Sequence, residues 1–220
     1  MTLFLSGGGS GEDSRELDKE FIKKIGKTKP VLYIPLARES PYESCLEWIK
    51  SNFKIFQFNK FEIVKGLHEL KNKKINDYSG IYIGGGNTYK LLNDLKISGF
   101  LKVLTKYVNS GGIVYGGSAG AIIFGREILT ANDSNEVKIT DFKGLNKVGQ
   151  FSIYCHYSNN EKKKVEKYVQ KNEIPVIALP EKTGMIIDKD KAKIVGMESA
   201  YIFDGKNWTE IFPNNKFNLT

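Results

Sequence analysis

A tight turn suited to a nucleophile is the strongest chemical signal in the sequence. Residues 116–120 read Gly-Gly-Ser-Ala-Gly and follow the apolar run 113–115, which matches the G-x-S-x-G pattern of a strand–turn–helix nucleophile elbow. Such a turn forces the serine into an unfavourable backbone conformation and crowds its neighbours, so glycine is needed two positions before and two positions after it. We therefore predict that Ser118 is a catalytic nucleophile. The alternative is a glycine-rich turn with a structural or phosphate-binding use.

A second glycine-rich turn is expected to face the first. Residues 84–86 are three glycines that end another apolar run and precede a helical pattern. Sites in α/β sheets form outside the carboxyl ends of the strands, so loops after neighbouring strands meet across one crevice. The backbone N–H of Gly85 or Gly86 can then join that of Ala119 in binding a developing oxyanion. A dinucleotide fingerprint is the competing interpretation, but neither this turn nor residues 7–11 has the G-x-G-x-x-G spacing.

A serine hydroxyl needs a base, and the sequence offers only two histidines. His156 lies in the apolar strand pattern 151–157, 38 residues after Ser118, and can return to the sheet edge that carries Ser118. His68 lies in a lysine-rich, helix-like segment upstream of both glycine turns. We therefore predict that His156 is the base, with a core histidine bonded to a backbone carbonyl as the alternative.

An orienting carboxylate completes this kind of site, and two candidates remain open. Asp133 lies in a polar loop after the elbow, whereas Glu181 follows the strand pattern 176–179 and one proline. Glu181 is favoured if its strand neighbours the strand that leads to His156. The alternative for each residue is a solvated loop acid, and both are kept as predicted catalytic residues.

These residues need a scaffold in which strands and helices alternate. Short β-rich apolar runs are separated by amphipathic stretches of helical spacing. The first helix is expected to begin near Ser14, and the helical stretch 88–109 is interrupted at Gly99. Turn signals at 188–193 and 204–207 indicate two hairpins. The pattern predicts one α/β domain over residues 1–220, a three-layer sandwich with a mostly parallel sheet and short antiparallel C-terminal hairpins.

Composition narrows the class of protein. With 40% hydrophobic and 26% charged residues in 220, the chain is typical of a soluble globular protein. It has neither an apolar run of about 20 residues nor a basic leader, so a cytoplasmic location without membrane contact is expected. The net charge of +8 comes mostly from scattered lysines, which favours a solvated surface over a nucleic-acid partner. Two cysteines and two histidines exclude a disulfide framework and a His-rich zinc site.

Taken together, these segments resemble the peptidase E (alpha-aspartyl dipeptidase) and cyanophycinase family of serine peptidases. The resemblance is carried by residues 84–88 and 116–121, by His156, and by Leu-Pro-Glu at 179–181, and it spans most of the chain. It implies a glutamine-amidotransferase-like (flavodoxin-like) sandwich with Ser118 as nucleophile and His156 as base. The acid it implies stands at the position of either Asp133 or Glu181.

The resemblance also implies an activity. Members of this family cut peptides after an N-terminal aspartyl residue, or cut the aspartyl–arginine links of cyanophycin. This implies a serine-type exopeptidase or dipeptidase that acts on a small peptide, for example an aspartyl dipeptide, without metal or organic cofactor and as a monomer or homodimer. An aspartyl side chain calls for a cation. Arg38 and Arg126 are near predicted loops, and Arg126 is preferred because it follows Ser118 closely.

Three other functions remain as alternatives on this sequence. The main one is a non-catalytic module of the same fold that binds an anion or a peptide through the glycine turns. An esterase of the α/β-hydrolase type would place its acid before the histidine, which Asp133 satisfies and Glu181 does not. Glutamine amidotransfer would need a cysteine at the elbow, where this chain has serine.

Overall fold

The computed structural model describes residues 1–219 of the chain. Within this range the strands are β1 (Thr2–Ser6), β2 (Val31–Ile34), β3 (Phe61–Ile63), β4 (Gly80–Ile83), β5 (Ile113–Gly117), β6 (Ser152–Cys155), β7 (Val176–Leu179), β8 (Thr183–Asp188), β9 (Lys191–Gly196), β10 (Ala200–Phe203), β11 (Trp208–Ile211) and β12 (Lys216–Asn218). The helices are α1 (Arg15–Ile25), α2 (Glu43–Phe53), α3 (Leu67–Leu70), α4 (Thr88–Ile97), α5 (Phe100–Asn109), α6 (Ala119–Ile122) and α7 (Lys162–Asn172). None of these helices is long and apolar enough to cross a membrane.

A large mixed sheet forms the body of the molecule. Its strand order is β12-β9-β8-β1-β5-β4-β2-β3, and the five strands from β1 to β3 run parallel, whereas β8, β9 and β12 are antiparallel. Ser6 pairs with Gly117, and Ile83 pairs with Gly116. The loops that follow β1, β4 and β5 therefore emerge side by side at one edge of the sheet. This agrees with the expected mixed α/β fold with a mostly parallel sheet.

A second, four-stranded sheet in the order β11-β10-β7-β6 was not indicated by the sequence. Strands β6 and β7 are parallel neighbours, and Cys155 at the end of β6 pairs with Leu179 at the end of β7. We expected the strand that carries His156 to return to the sheet of Ser118. It lies instead in this smaller sheet, as β6. Because the paired strand ends coincide, the residues that follow them, His156 and Pro180-Glu181, lie next to each other.

Three helices show how the local sequence shapes the elements of the large domain body. Helix α1 buries Leu17, Phe21 and Ile22 on one face, the spacing expected of an amphipathic helix. Gly99, at φ 75°, separates α4 from α5, because this left-handed conformation suits glycine and not most other residues. Asn87 caps α4, and its side chain accepts a hydrogen bond from the N–H of Lys90.

One acid, Asp18 of α1, lies in the core at 2% exposure. The Ser14 hydroxyl donates to its Oδ2 at 2.8 Å, and its Oδ1 has no hydrogen-bond partner among residues 1–219. Burial raises the pKa of this carboxyl to about 7, against the smaller opposing effects of the Ser14 and Tyr115 hydroxyls. Asp18 therefore keeps a proton in the folded state at a pH where the unfolded chain has lost it.

This buried acid predicts a pH dependence of stability. Between about pH 4 and 7 the native state binds one proton more than the unfolded state, so the free energy of unfolding falls as pH rises. Asp18→Asn removes that proton linkage. Between pH 5 and pH 8 we expect wild type to lose about 2–3 kcal/mol relative to this variant, as measured by urea denaturation at both values. Parallel changes in the two proteins would contradict the raised pKa.

Candidate active site

Ser118 stands at a strained turn between β5 and α6. Its backbone lies at φ 49° and ψ −109°, a conformation that costs energy for any residue with a side chain. A Cβ on Gly116 would lie 2.3 Å from the carbonyl oxygen of Gly120, and a Cβ on Gly120 would lie 2.3 Å from that of Ile83. Both flanking glycines are therefore needed for the turn to close, as the sequence pattern predicts.

His156 lies beside this serine. It follows β6 with φ at 55°, and its backbone N–H donates to the carbonyl oxygen of Gly7 at 2.8 Å. Its Nε2 is 2.7 Å from Oγ of Ser118. The distance is within hydrogen-bond reach, as a general base requires. The other histidine, His68, belongs to α3 and does not line this site.

Glu181 contacts the opposite side of the imidazole. Its Oε1 lies 2.8 Å from Nδ1 of His156, so the serine, the histidine and the glutamate form a continuous chain of hydrogen bonds. This contact follows from the pairing of β6 with β7, the condition under which the sequence favoured Glu181. The His156 and Glu181 side chains are 45% and 59% exposed, so water reaches this end of the chain.

Asp133, the other predicted acid, makes a different contact. Its Oδ2 accepts hydrogen bonds from the backbone N–H of Thr88 at 2.8 Å and from the Thr88 hydroxyl at 2.6 Å. It forms no hydrogen bond with His156. The prediction that Asp133 orients the imidazole therefore has no support in the geometry, because the carboxylate is bound at the start of α4.

Backbone N–H groups are available around Ser118. Those of Gly85, Gly86 and Ala119 donate to no other residue in the described part of the chain. A Cβ on Gly85 would lie 3.1 Å from Cβ of Ser118, which shows how closely the second glycine turn approaches the elbow. Gly86 has φ at 141°, and a Cβ there would lie 2.3 Å from the Ala37 carbonyl oxygen. Both predicted turns thus meet at one point.

A cleft of about 330 Å³ opens over Ser118 and His156; we call it the Ser118 cleft. Sequence reasoning missed several of its walls: Trp48, Tyr82, Thr130 and Asn132 line it together with Asp133. Trp48 belongs to α2, and its spacing indicates only a helix. Residues 130–132 carry no periodic pattern that could mark them as part of a site.

The cation that lines the cleft is Arg38 and not Arg126. Arg38 follows β2, and its guanidinium has no acceptor among the described residues. The backbone N–H of Arg126 bonds to Phe151, and its side chain does not line the cleft. The preference for Arg126 was wrong, because closeness to Ser118 in sequence does not translate into closeness across the elbow.

Cys155 also lines the Ser118 cleft, but this residue is only 4% exposed. Its Sγ is 3.6 Å from the carbonyl oxygens of Ser6 and Ser118. Burial raises the pKa of this thiol above its usual range, with a smaller effect of the charge on Asp133. A buried, protonated thiol is a poor nucleophile, so thiolate chemistry has no support here.

Comparison with known proteins agrees with this geometry. The sequence model of peptidase family S51 matches residues 2–195. A peptidase E of Shewanella denitrificans is 31% identical over 201 residues, which cover 85% of this chain and 83% of the relative. The chain belongs to peptidase family S51. The resemblance predicted from the glycine turns, His156 and Glu181 is thereby confirmed, and the family supports a peptidase that acts on a peptide substrate.

Other known proteins are similar to this chain over most of their length. A Drosophila melanogaster protein named "Probable alpha-aspartyl dipeptidase" is 28% identical over 204 residues, 87% of this chain and 82% of its own. The solved structure of a Listeria monocytogenes EGD-e protein assigned to peptidase E superposes with a TM-score of 0.71 at 26% identity, covering 90% of this chain and 98% of that one. A peptidase from an acI-B1 actinobacterium shares the fold, with a TM-score of 0.74 at 20% identity and coverage of 99% and 96%.

Proposed function

We propose that this S51 peptidase is a serine-type exopeptidase whose triad is Ser118, His156 and Glu181. The observation that carries the proposal is the pair of hydrogen bonds, 2.7 Å and 2.8 Å long, that joins the three side chains through the imidazole. This is the arrangement in which a third group orients a base that activates a serine. The strained backbone of Ser118 supports it further, because strain of this kind clusters at functional sites.

The chemistry is acyl transfer through a covalent intermediate. His156 accepts the hydroxyl proton at Nε2 as Oγ of Ser118 bonds to the carbonyl carbon, and Glu181 stabilises the imidazolium that forms. The resulting oxyanion accepts hydrogen bonds from the N–H of Ala119 and of Gly85 or Gly86. His156 then returns the proton to the leaving amine as the C–N bond breaks. Water, deprotonated by His156, releases the acyl group in the same way.

An aspartyl dipeptide is the substrate class that the cleft supports best. The cleft volume of about 330 Å³ lies near the lower end of the range for small-molecule sites, roughly 300–1,000 Å³, which favours a short peptide over a long chain. Arg38 supplies an unpaired cation for a side-chain carboxylate. Asp133 has one oxygen committed to Thr88 and a second that bonds to no described residue, and this second oxygen suits the α-ammonium of an unblocked N-terminus. The name of the Drosophila melanogaster relative supports the same class.

If the substrate is an aspartyl dipeptide, substitution of Arg38 should reduce activity and substitution of Arg126 should not. Arg38→Ala should lower kcat/KM for aspartyl–leucine about 10- to 150-fold, because a charged hydrogen bond is worth roughly 1.5–3 kcal/mol. It should leave hydrolysis of the neutral asparaginyl–leucine, measured by release of free leucine, almost unchanged. Arg126→Ala removes the same charge outside the cleft and serves as the matched control, with both substrates cleaved at wild-type rates. Equal losses on the two substrates would contradict an aspartyl-binding role for Arg38.

A further inference from the structure

The glycine loop after β1, defined here as residues 6–9, contacts the main chain of all three proposed triad residues. The carbonyl oxygen of Ser6 accepts a hydrogen bond from the N–H of Ser118 at 3.1 Å, and that of Gly7 accepts one from the N–H of His156 at 2.8 Å. The N–H of Gly9 donates to the carbonyl oxygen of Glu181 at 3.1 Å. Residues 6–9 thus connect the backbones of three residues that follow strands of two different sheets.

The loop also fits against the site so closely that side chains are excluded. A Cβ on Gly7 would lie 1.9 Å from the carbonyl oxygen of Pro180, and a Cβ on Gly9 would lie 2.5 Å from that of Glu181. A Cβ on Gly8 would lie 2.1 Å from Cε1 of His156 and 2.6 Å from each of its ring nitrogens. Gly8 therefore lies against the ring atom that separates the two hydrogen-bonding nitrogens.

Gly8 is itself held in place. Its N–H donates to the hydroxyl of Ser6 at 3.2 Å, and the Ser6 side chain is 2% exposed. With φ at 129°, Gly8 adopts a conformation that is open to glycine and strained for other residues. The hydroxyl and the missing side chain together fix how near the loop lies to the imidazole.

We infer that the glycine loop is the positioning element of the triad and that Gly8 sets the placement of the His156 ring. The inference rests on the proposed function. A methyl group at Gly8 has to displace Cε1, and because both nitrogens flank that atom, the contacts with Ser118 and Glu181 lengthen together. A misplacement of about 1 Å at a reacting group costs on the order of 10²-fold in rate. Gly8 also lines the Ser118 cleft, but the atoms nearest to the added methyl group are those of the His156 ring, so we expect the loss to fall on the chemical step.

Gly8→Ala tests the inference, with Gly11→Ala as its matched control. Gly11 also has a positive φ, of 62°, but a Cβ there meets nothing within 4 Å. We expect Gly8→Ala to lower kcat for aspartyl–leucine about 100-fold while KM changes less than about 3-fold, and Gly11→Ala to stay near wild type. In Gly8→Ala the rate of Ser118 labelling by a fluorophosphonate should fall in proportion.

Two further measurements keep the outcome decisive. If Gly8→Ala does not fold, Ser6→Ala replaces it, because that variant releases the N–H of Gly8 without adding an atom; it should slow labelling several-fold, and unchanged labelling would overturn the inference. Labelling of the wild-type protein distinguishes failure of the proposed function from failure of the positioning role of Gly8. An unlabelled wild type defeats the proposed function, whereas a labelled wild type with an equally reactive Gly8→Ala, or a rise in KM alone, defeats only the positioning role.

Discussion

The Ser118→Ala variant is expected to lose aspartyl dipeptidase activity by at least about 10⁴-fold in kcat, because it removes the only atom that forms the acyl-enzyme. Its folded structure should persist. The substitution deletes one oxygen at a half-buried position and keeps the backbone hydrogen bond from the Ser118 N–H to Ser6. Release of free amino acid from aspartyl–leucine measures the activity, and the thermal unfolding midpoint measures the fold.

Ser134→Ala is a suitable control for this substitution. Ser134 belongs to the loop beside the cleft, and its hydroxyl donates to Glu136 and to no group of the proposed triad. This variant should keep its activity within about 2-fold, as is usual for a surface change. A Ser118→Ala protein that retained more than about 1% of wild-type kcat, with the Ser134→Ala protein fully active, would rule out Ser118 as the nucleophile.

The second large effect concerns the acid. Glu181→Ala should lower kcat about 10²- to 10³-fold. In buried triads, loss of the orienting acid costs about 10⁴-fold in kcat. The Glu181 side chain is 59% exposed, so water replaces part of its hydrogen bond and the expected loss is smaller.

The Asp133→Asn variant should behave differently. KM for unblocked dipeptides should rise because the partner of the α-ammonium loses its charge, while fluorophosphonate labelling of Ser118 keeps its wild-type rate.

These two variants decide between the acids that the sequence left open. Steady-state kinetics on aspartyl–leucine and labelling rates are compared in the same preparations. If Asp133→Asn abolished labelling and Glu181→Ala did not, the triad assignment would have to be reversed. That result would require Asp133 to move away from Thr88, whose backbone N–H and hydroxyl both donate hydrogen bonds to it.

The sequence was most informative where a local rule is strict. The glycines at 116 and 120 mark the elbow because no side chain fits there, and the scarcity of histidine points to His156 as the proposed base. Gly99 marks the break between α4 and α5 for a similar local reason. In each case one residue type answers to its immediate backbone geometry. The fold class follows from the same kind of pattern, repeated along the chain.

Contacts between distant segments could not be predicted in this way. Glu181 reaches His156 only because β6 pairs with β7 in register, and hydrophobic alternation does not specify which strand pairs with which. Arg38, which follows β2, and Trp48 of α2 line the cleft although both are far from the elbow in sequence.

A fluorophosphonate probe tests the central claim most directly. Wild-type protein is incubated with the probe at neutral pH and digested, and the modified residue is identified by mass spectrometry. The account predicts a single stoichiometric adduct on Ser118 that His156→Ala fails to acquire. Because a module that only binds anions or peptides has no activated hydroxyl, an unmodified Ser118 in folded wild type, or an adduct that forms equally fast without His156, would contradict it.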